Sequence, residues 1–290
     1  MTDILILGAT GLAGNALVAR MKEVNFTYRC VARHCEDISA DVSNRTELEK
    51  LIQTLKPKVV INCVGEIDLN LCESDFDATW DINVAPVIFL SDLANKYNFK
   101  LVQISTDHYY IGASKEAHDE TFPVTLLNNY SRQKYVAELF ASRSKNALII
   151  RTAFTGISSY RKRCKKTLWT WICQVDSTSA PVNLFGDAYT SLLDVETFAR
   201  VTIDLIALKA TGIFNVSSSE VFSKAEFFQV AMQKMGRLAL DTKKVSVQSL
   251  TVPRANNLGL CPKKTEKLVN YRMPSLSQVI LNLMKNMEDQ

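Results

Sequence analysis

Several familiar signals are missing from this 290-residue chain. Its seven cysteines (Cys30, Cys35, Cys63, Cys72, Cys164, Cys173 and Cys261) include no C-x-x-C pair, and its three histidines are not at the spacing that places two ligands on one helix face. No metal site is expected, and the odd cysteine set reads as buried reduced thiols. No apolar run approaches the roughly 20 residues of a membrane-spanning helix, so no span is expected. Charge of one sign is scarce too. Lys and Arg number 34 against 30 Asp and Glu, a net charge of +4 that is too mild to imply nucleic-acid binding. Glycine (10) and proline (7) are few; with 47% hydrophobic and 22% charged residues, a collagen-like, mucin-like or disordered chain is excluded. The start, Met1-Thr2-Asp3-Ile4, has an acid where a secretion signal carries basic residues, which points to a cytoplasmic protein.

What is present is an alternation. Ile4 to Leu7 is a continuous apolar run ending in a glycine-rich turn, as a central parallel strand covered on both faces requires. Tyr28 to Arg33, Val59 to Val64, Leu101 to Ser105 and Ala147 to Arg151 read as further strands. Leu12 to Val24, Asn44 to Leu55, Asp75 to Tyr97 and Asn129 to Ser142 read as helices between them, with Ser43 capping the second and Lys56-Pro57 ending it. Strand and helix in turn over about 150 residues imply an α/β fold, a doubly wound parallel (Rossmann) sheet. After Thr152 the elements shorten: a helix over Thr167 to Gln174, a strand over Val182 to Gly186, and helices over Asp194 to Leu208, Lys224 to Met235 and Ser275 to Met287. The division expected is a dinucleotide-binding domain, 1–155, and a smaller substrate-binding lobe, 156–290. The helix from Asp194 is placed either in that lobe or back on the first domain.

Gly8-Ala9-Thr10-Gly11-Leu12-Ala13-Gly14 stands where the first strand hands over to the first helix. Glycines there let the turn close and let backbone approach a pyrophosphate at the helix amino terminus; a purely structural turn is the alternative. At the end of the second strand an acid would bind the ribose 2′-hydroxyl of NAD, whereas a basic residue accepts a 2′-phosphate. The chain reads Cys30-Val31-Ala32-Arg33-His34, which favours NADP through Arg33 and leaves NAD and a solvated arginine as alternatives. Asp41-Val42 follows at a distance suited to the adenine, and Cys63-Val64-Gly65 ends the third strand beside the same crevice.

Tyr130 and Lys134 are four residues apart and share one helix face. A neighbouring ammonium brings a phenol down toward working pH and makes it useful as an acid and base. Ser105-Thr106-Asp107 ends the fourth strand, where its hydroxyls can enter the cleft.

Taken together, the three glycines, Ser105-Thr106 and Tyr130-x-x-x-Lys134 resemble an extended short-chain dehydrogenase/reductase. Ile104-Ser105-Thr106-Asp107, Ile150-Arg151-Thr152 and Asn83-Val84 are most similar to the dTDP-4-dehydrorhamnose reductase group of sugar-nucleotide reductases. The resemblance implies an NADP(H)-preferring reductase of a 4-keto sugar nucleotide. It assigns Tyr130 as acid/base, Lys134 to the nicotinamide ribose, Thr106 to the substrate carbonyl with Ser105 as second choice, and Asn83 to supporting the lysine or a nearby water. It leaves an NAD-dependent epimerase and a non-catalytic nucleotide-binding subunit as alternatives, and a homodimer open. Where family dehydratases follow the active-site hydroxyl with Asp and Glu, this chain has Asp107-His108, and elimination of water is not expected.

Arg161-Lys162-Arg163-Cys164-Lys165-Lys166 reads either as a solvated loop or as a lid that attracts a nucleotide diphosphate. Trp169 and Trp171 diverge on a helix, so at most one should line a pocket; His34 and His118 are expected at the surface.

Overall fold

The computed structural model describes residues 2–24, 26–112, 114–158, 166–175, 181–237 and 242–288. Strand β1 (Ile4–Leu7) leads into α1 (Leu12–Met21), β2 (Tyr28–Ala32) and the short β3 (Ile38–Ser39), and α2 (Arg45–Leu55) returns the chain to β4 (Val59–Asn62). Helices α3 (Leu69–Ser74), α4 (Phe76–Asn83) and α5 (Ala85–Tyr97) precede β5 (Lys100–Ile104), and α6 (Asn129–Ala141) precedes β6 (Leu148–Thr152). Then come β7 (Phe154–Thr155), α7 (Leu168–Gln174), β8 (Val182–Phe185), β9 (Tyr189–Thr190), β10 (Leu193–Asp194), α8 (Val195–Ala207) and β11 (Gly212–Val216). The remainder is β12 (Phe222–Ser223), α9 (Lys224–Lys234), β13 (Thr242–Val245), β14 (Asn257–Leu258), α10 (Lys263–Val269) and α11 (Leu276–Glu288).

Seven strands form one parallel sheet in the order β11-β6-β5-β4-β1-β2-β3. The chain winds one way from β1 to β3 and the other way from β4 onward, so the topological switch point lies between β1 and β4. That is the doubly wound arrangement expected from the alternation. Residues along β1 point alternately to opposite faces. Ile4 and Ile6 pack with Leu17 and Met21 of α1 and with Phe198, Val201 and Leu205 of α8. Leu5 and Leu7 pack with Ile52 of α2, Leu90 of α5 and Ala137 of α6. Both faces are covered, which is the physical reason the strand is apolar at every position. From the second half of the chain, α8 lies against α1, and β11 pairs with β6 at the sheet edge. The short strands form separate pairings: β10 with β7, β9 with β12 and β14, and β13 with β8.

Three local expectations are corrected. The cap of α2 is Asn44, whose side chain accepts from the amides of Thr46 and Glu47 (3.1 and 3.2 Å); Ser43 instead donates to Asp41. The single helix from Asp75 to Tyr97 breaks at Val84, because Pro86 lies in the first turn of α5 and cannot donate a helical amide bond. His118 is fully buried rather than exposed. Its Nδ1 lies 2.8 Å from the Gly259 carbonyl oxygen and its ring stacks on Tyr110 at 4.7 Å, since the loop is drawn inward by the bridge between His118 and Leu260.

Replacing Asn44 by Ala should lower stability by about 1 kcal/mol through loss of the cap. Urea unfolding of the variant checks this, and an unchanged midpoint would show that the cap contributes nothing.

Candidate active site

The carboxyl ends of β1, β2 and β4 open into a cleft of about 930 Å³ at the switch point. Gly8, Thr10, Gly11 and Leu12 form one wall. Gly8 has φ +77°, and a Cβ there would lie 3.1 Å from the Cys63 and Val64 backbone, so the turn needs glycine on both counts. Gly14 does not line the cleft. A Cβ at Gly14 would sit 2.6 Å from Ala9 Cα and press on the Gly8 carbonyl oxygen, so this glycine lets α1 pack down on its own turn. The helix begins at Gly11 without a side-chain cap, which leaves its first amides to an incoming anion.

Arg33, exposed at the end of β2, forms the second wall with Asp41 and Val42. The Ser43 amide and hydroxyl (3.0 and 2.8 Å) hold the Asp41 carboxyl below its ordinary range. Cys63, Val64 and Gly65 make the floor. Burial pushes the Cys63 thiol up to about 12, so it stays protonated and is no nucleophile. Asn83 stands behind the floor rather than in it. Its Oδ1 accepts from the Glu66 amide (2.8 Å), and its Nδ2 donates to the Glu66 carbonyl (3.1 Å) and to Gln133 (2.9 Å). It therefore fixes the loop after β4.

Helix α6 starts at a reciprocal cap between Asn128 and Ser131, which sets the position of Tyr130. Tyr130 is 6% exposed, and the Thr106 side chain beside it pulls its phenol down against the effect of burial. Ser105 turns elsewhere, its hydroxyl 2.9 Å from that of Tyr109, so only Thr106 of the two hydroxyls faces the tyrosine. Lys134 donates to the Ile104 carbonyl (2.9 Å), close behind Gly65, and burial brings its ammonium down to about 8. The expected tuning of the phenol by this ammonium is not the dominant effect. Burial raises Tyr130 above its ordinary value, Asp107 adds to the rise, and Thr106 opposes it.

None of Ser105, Thr106, Tyr130 and Lys134 is itself in the cleft lining; His108, Thr190 and Lys224 connect them to it. The His108 ring meets Tyr130 edge-on at 5.4 Å, and burial with Lys224 and Arg254 nearby keeps it neutral, at about 3. Position directly after Thr106-Asp107 was a signal for His108. Thr190 and Lys224 carried none, being brought in by β9 and α9 from distant parts of the chain. Neither Trp169, fully buried, nor Trp171, packed on Phe228, lines the cleft. His34 is exposed at the rim, as expected. Of the basic run, Arg161 to Lys165 lie outside the described residues, and Lys166 is exposed in the cleft lining.

Arg151 lies beneath this end of the site with its side chain 3% exposed. It bonds both oxygens of the equally buried Glu138 from Nε and Nη2, at 2.8 to 3.2 Å, and donates from Nη1 to the Tyr110 hydroxyl at 2.6 Å.

The family model for the RmlD substrate binding domain matches residues 1–288. A dTDP-4-dehydrorhamnose reductase of Aggregatibacter actinomycetemcomitans is 27% identical over 169 residues, 58% of this chain and 56% of that protein, so the match spans little more than half of the relative. A dTDP-4-dehydrorhamnose reductase from Clostridium acetobutylicum has the same fold with a TM-score of 0.88 at 20% identity, over 99% of this chain and 100% of that one. One from Bacillus anthracis, solved in complex with NADP, gives 0.86 at 20% identity over 99% and 100%.

Truncating Glu138 to Ala would leave the Arg151 guanidinium buried and unpaired, at a cost of about 3–5 kcal/mol. Chemical denaturation measures this, and a loss below about 1 kcal/mol, as exposed pairs give, would contradict it.

Proposed function

Because the chain belongs to the RmlD substrate binding domain family, we propose that it is an extended short-chain oxidoreductase that uses NADPH to reduce the 4-keto group of a sugar nucleotide. The observation that carries this reading is a cleft lined by an uncapped glycine turn with an arginine beyond it, behind whose lining residues His108 and Gly65 stand the buried Tyr130 and Lys134. The residues fit a dinucleotide. Only glycine is accommodated at positions 8 and 14, and the α1 amides have no competing side chain.

Bound NADPH would supply a hydride to the keto carbon. The residues do the rest. The uncapped first amides of α1, from Leu12 onward, hold the pyrophosphate, and the Arg33 guanidinium takes the 2′-phosphate. Lys134, behind Gly65, reaches the nicotinamide ribose. Thr106 orients the substrate oxygen, and Tyr130 delivers a proton to it as the carbon–oxygen double bond becomes an alcohol. Asn83 acts on this site through the loop it holds. A cytosolic setting belongs to the same proposal, supported by the free thiols of the described cysteines, since disulfides belong to oxidising compartments.

The direct test is NADPH oxidation across a panel of 4-keto sugar nucleotides, beginning with dTDP-4-dehydrorhamnose. Tyr130→Phe should bind NADPH like the wild type and lose about 10²-fold or more in turnover; full turnover in that variant would remove Tyr130 as the proton donor. Arg33→Ala should lose roughly 1.5–3 kcal/mol of NADPH binding and far less NADH binding, read by fluorescence titration. Equal losses for the two would refute the assignment of Arg33 to the 2′-phosphate.

A further inference from the structure

A tyrosine that gives its proton to substrate must regain one before the next turnover, and Tyr130 is almost sealed from water. The Thr106 side chain stands beside its hydroxyl and favours the ionised phenol. Thr106 Oγ1 in turn lies 3.4 Å from Asp107 Oδ1, and Asp107 Oδ2 lies 3.5 Å from the Thr190 hydroxyl, which is in the cleft lining. One chain of hydroxyls and a carboxyl thus runs from the buried phenol to the open cleft.

We propose that Asp107 is the proton store of this site, restoring Tyr130 after each turnover through the hydroxyl of Thr106. The proposal rests on the reductase reading above. It makes Asp107 a positioning residue for the proton, acting through Thr106 and Tyr130. The Thr106 hydroxyl passes its own proton to the phenolate and takes the carboxyl proton in its place. The Asp107 carboxylate left behind is reprotonated from water in the cleft, past Thr190. No electron moves and no other bond changes.

The electrostatics agree in direction. Asp107 is 3% exposed, and burial lifts its carboxyl to about 7, while bonds from Thr106 and Thr190 and the charge of Lys224 at the start of α9 pull it down. His108, with Nε2 3.9 Å from Oδ1, is held neutral by burial together with Lys224 and Arg254. Near neutral pH the carboxyl is therefore protonated in a large share of molecules. Tyr130, raised by burial with Asp107 adding to the rise, forms a phenolate more basic than the carboxylate, so the transfer runs downhill. Lys134 is differently employed, its ammonium directed at the Ile104 carbonyl.

The test is Asp107→Asn, which keeps size and hydrogen-bonding capacity but cannot store a proton. A single turnover starts with Tyr130 already protonated, so hydride transfer with excess enzyme should proceed at the wild-type rate, while steady-state kcat falls by about 10²-fold. In the wild type kcat should fall as pH rises through about 7, and this limb should vanish in the variant. Thr190→Val removes a bond that lowers the carboxyl, so it should move the limb to higher pH, and it serves if the Asn variant does not fold. Equal loss in single-turnover and steady-state rates, or no loss in either, overturns the relay and leaves the reductase reading standing. A wild type inert toward every keto sugar nucleotide overturns the reading, and the relay with it.

Discussion

A guanidinium from the sheet and a carboxylate from the helix above it meet in the interior, and the catalytic end is arranged around that pair. Arg151 belongs to β6 and Glu138 to α6. Either charge alone would be costly to bury, so α6 has to settle on the sheet in the register that joins them. Glu138 lies one turn beyond Lys134 and two turns beyond Tyr130, and its placement carries theirs with it. The same guanidinium holds the Tyr110 hydroxyl and lies over the Tyr109 ring at 5.1 Å. Tyr109 in turn engages Ser105, which leaves Thr106 as the hydroxyl that faces Tyr130. A choice between two adjacent side chains is thus settled by an ion pair behind them.

Burial is the leading cause of the shifts at Tyr130, Asp107, Lys134 and His108, and the sign follows from the charge that is disfavoured. Tyr130 and Asp107, which become anions, move up; Lys134 and His108, which become cations, move down. The outcome is a site in which phenol and imidazole are uncharged near neutrality, the carboxyl is close to its midpoint and the lysine keeps most of its charge. Uncharged groups linked by hydroxyls suit proton movement. The glycine turn and Arg33, at the open end of the same cleft, suit binding of a charged ligand.

Much of this was readable from the chain. The unbroken apolar run of β1, the glycine turn after it and the four-residue spacing of Tyr130 and Lys134 each reflect a local geometric requirement, and each appears in the structure where the spacing put it. The misses had two causes. Asn44 and Pro86 were local signals outweighed by neighbours: Ser43 is an equally good cap by composition, and a helical pattern on both sides of Pro86 disguised the break. His118 was different in kind. A histidine among polar residues reads as exposed, and nothing nearby in sequence foretold that Gly259 and Leu260 would draw it into the interior.

Sequence alone determined what depends on backbone geometry over a few residues: a parallel strand, a turn that admits only glycine, an arginine where a ribose-binding acid could have stood, and a tyrosine and lysine on one helix face. Tertiary structure decided what depends on contacts between distant segments. It selected Thr106 over Ser105, placed Asn83 and Gly14 behind the cleft, and brought Thr190 and Lys224 to its lining. It also reversed the expected direction of the shift at Tyr130, because the penalty for burying a charge depends on how completely the folded chain excludes water, and no spacing within a helix contains that information.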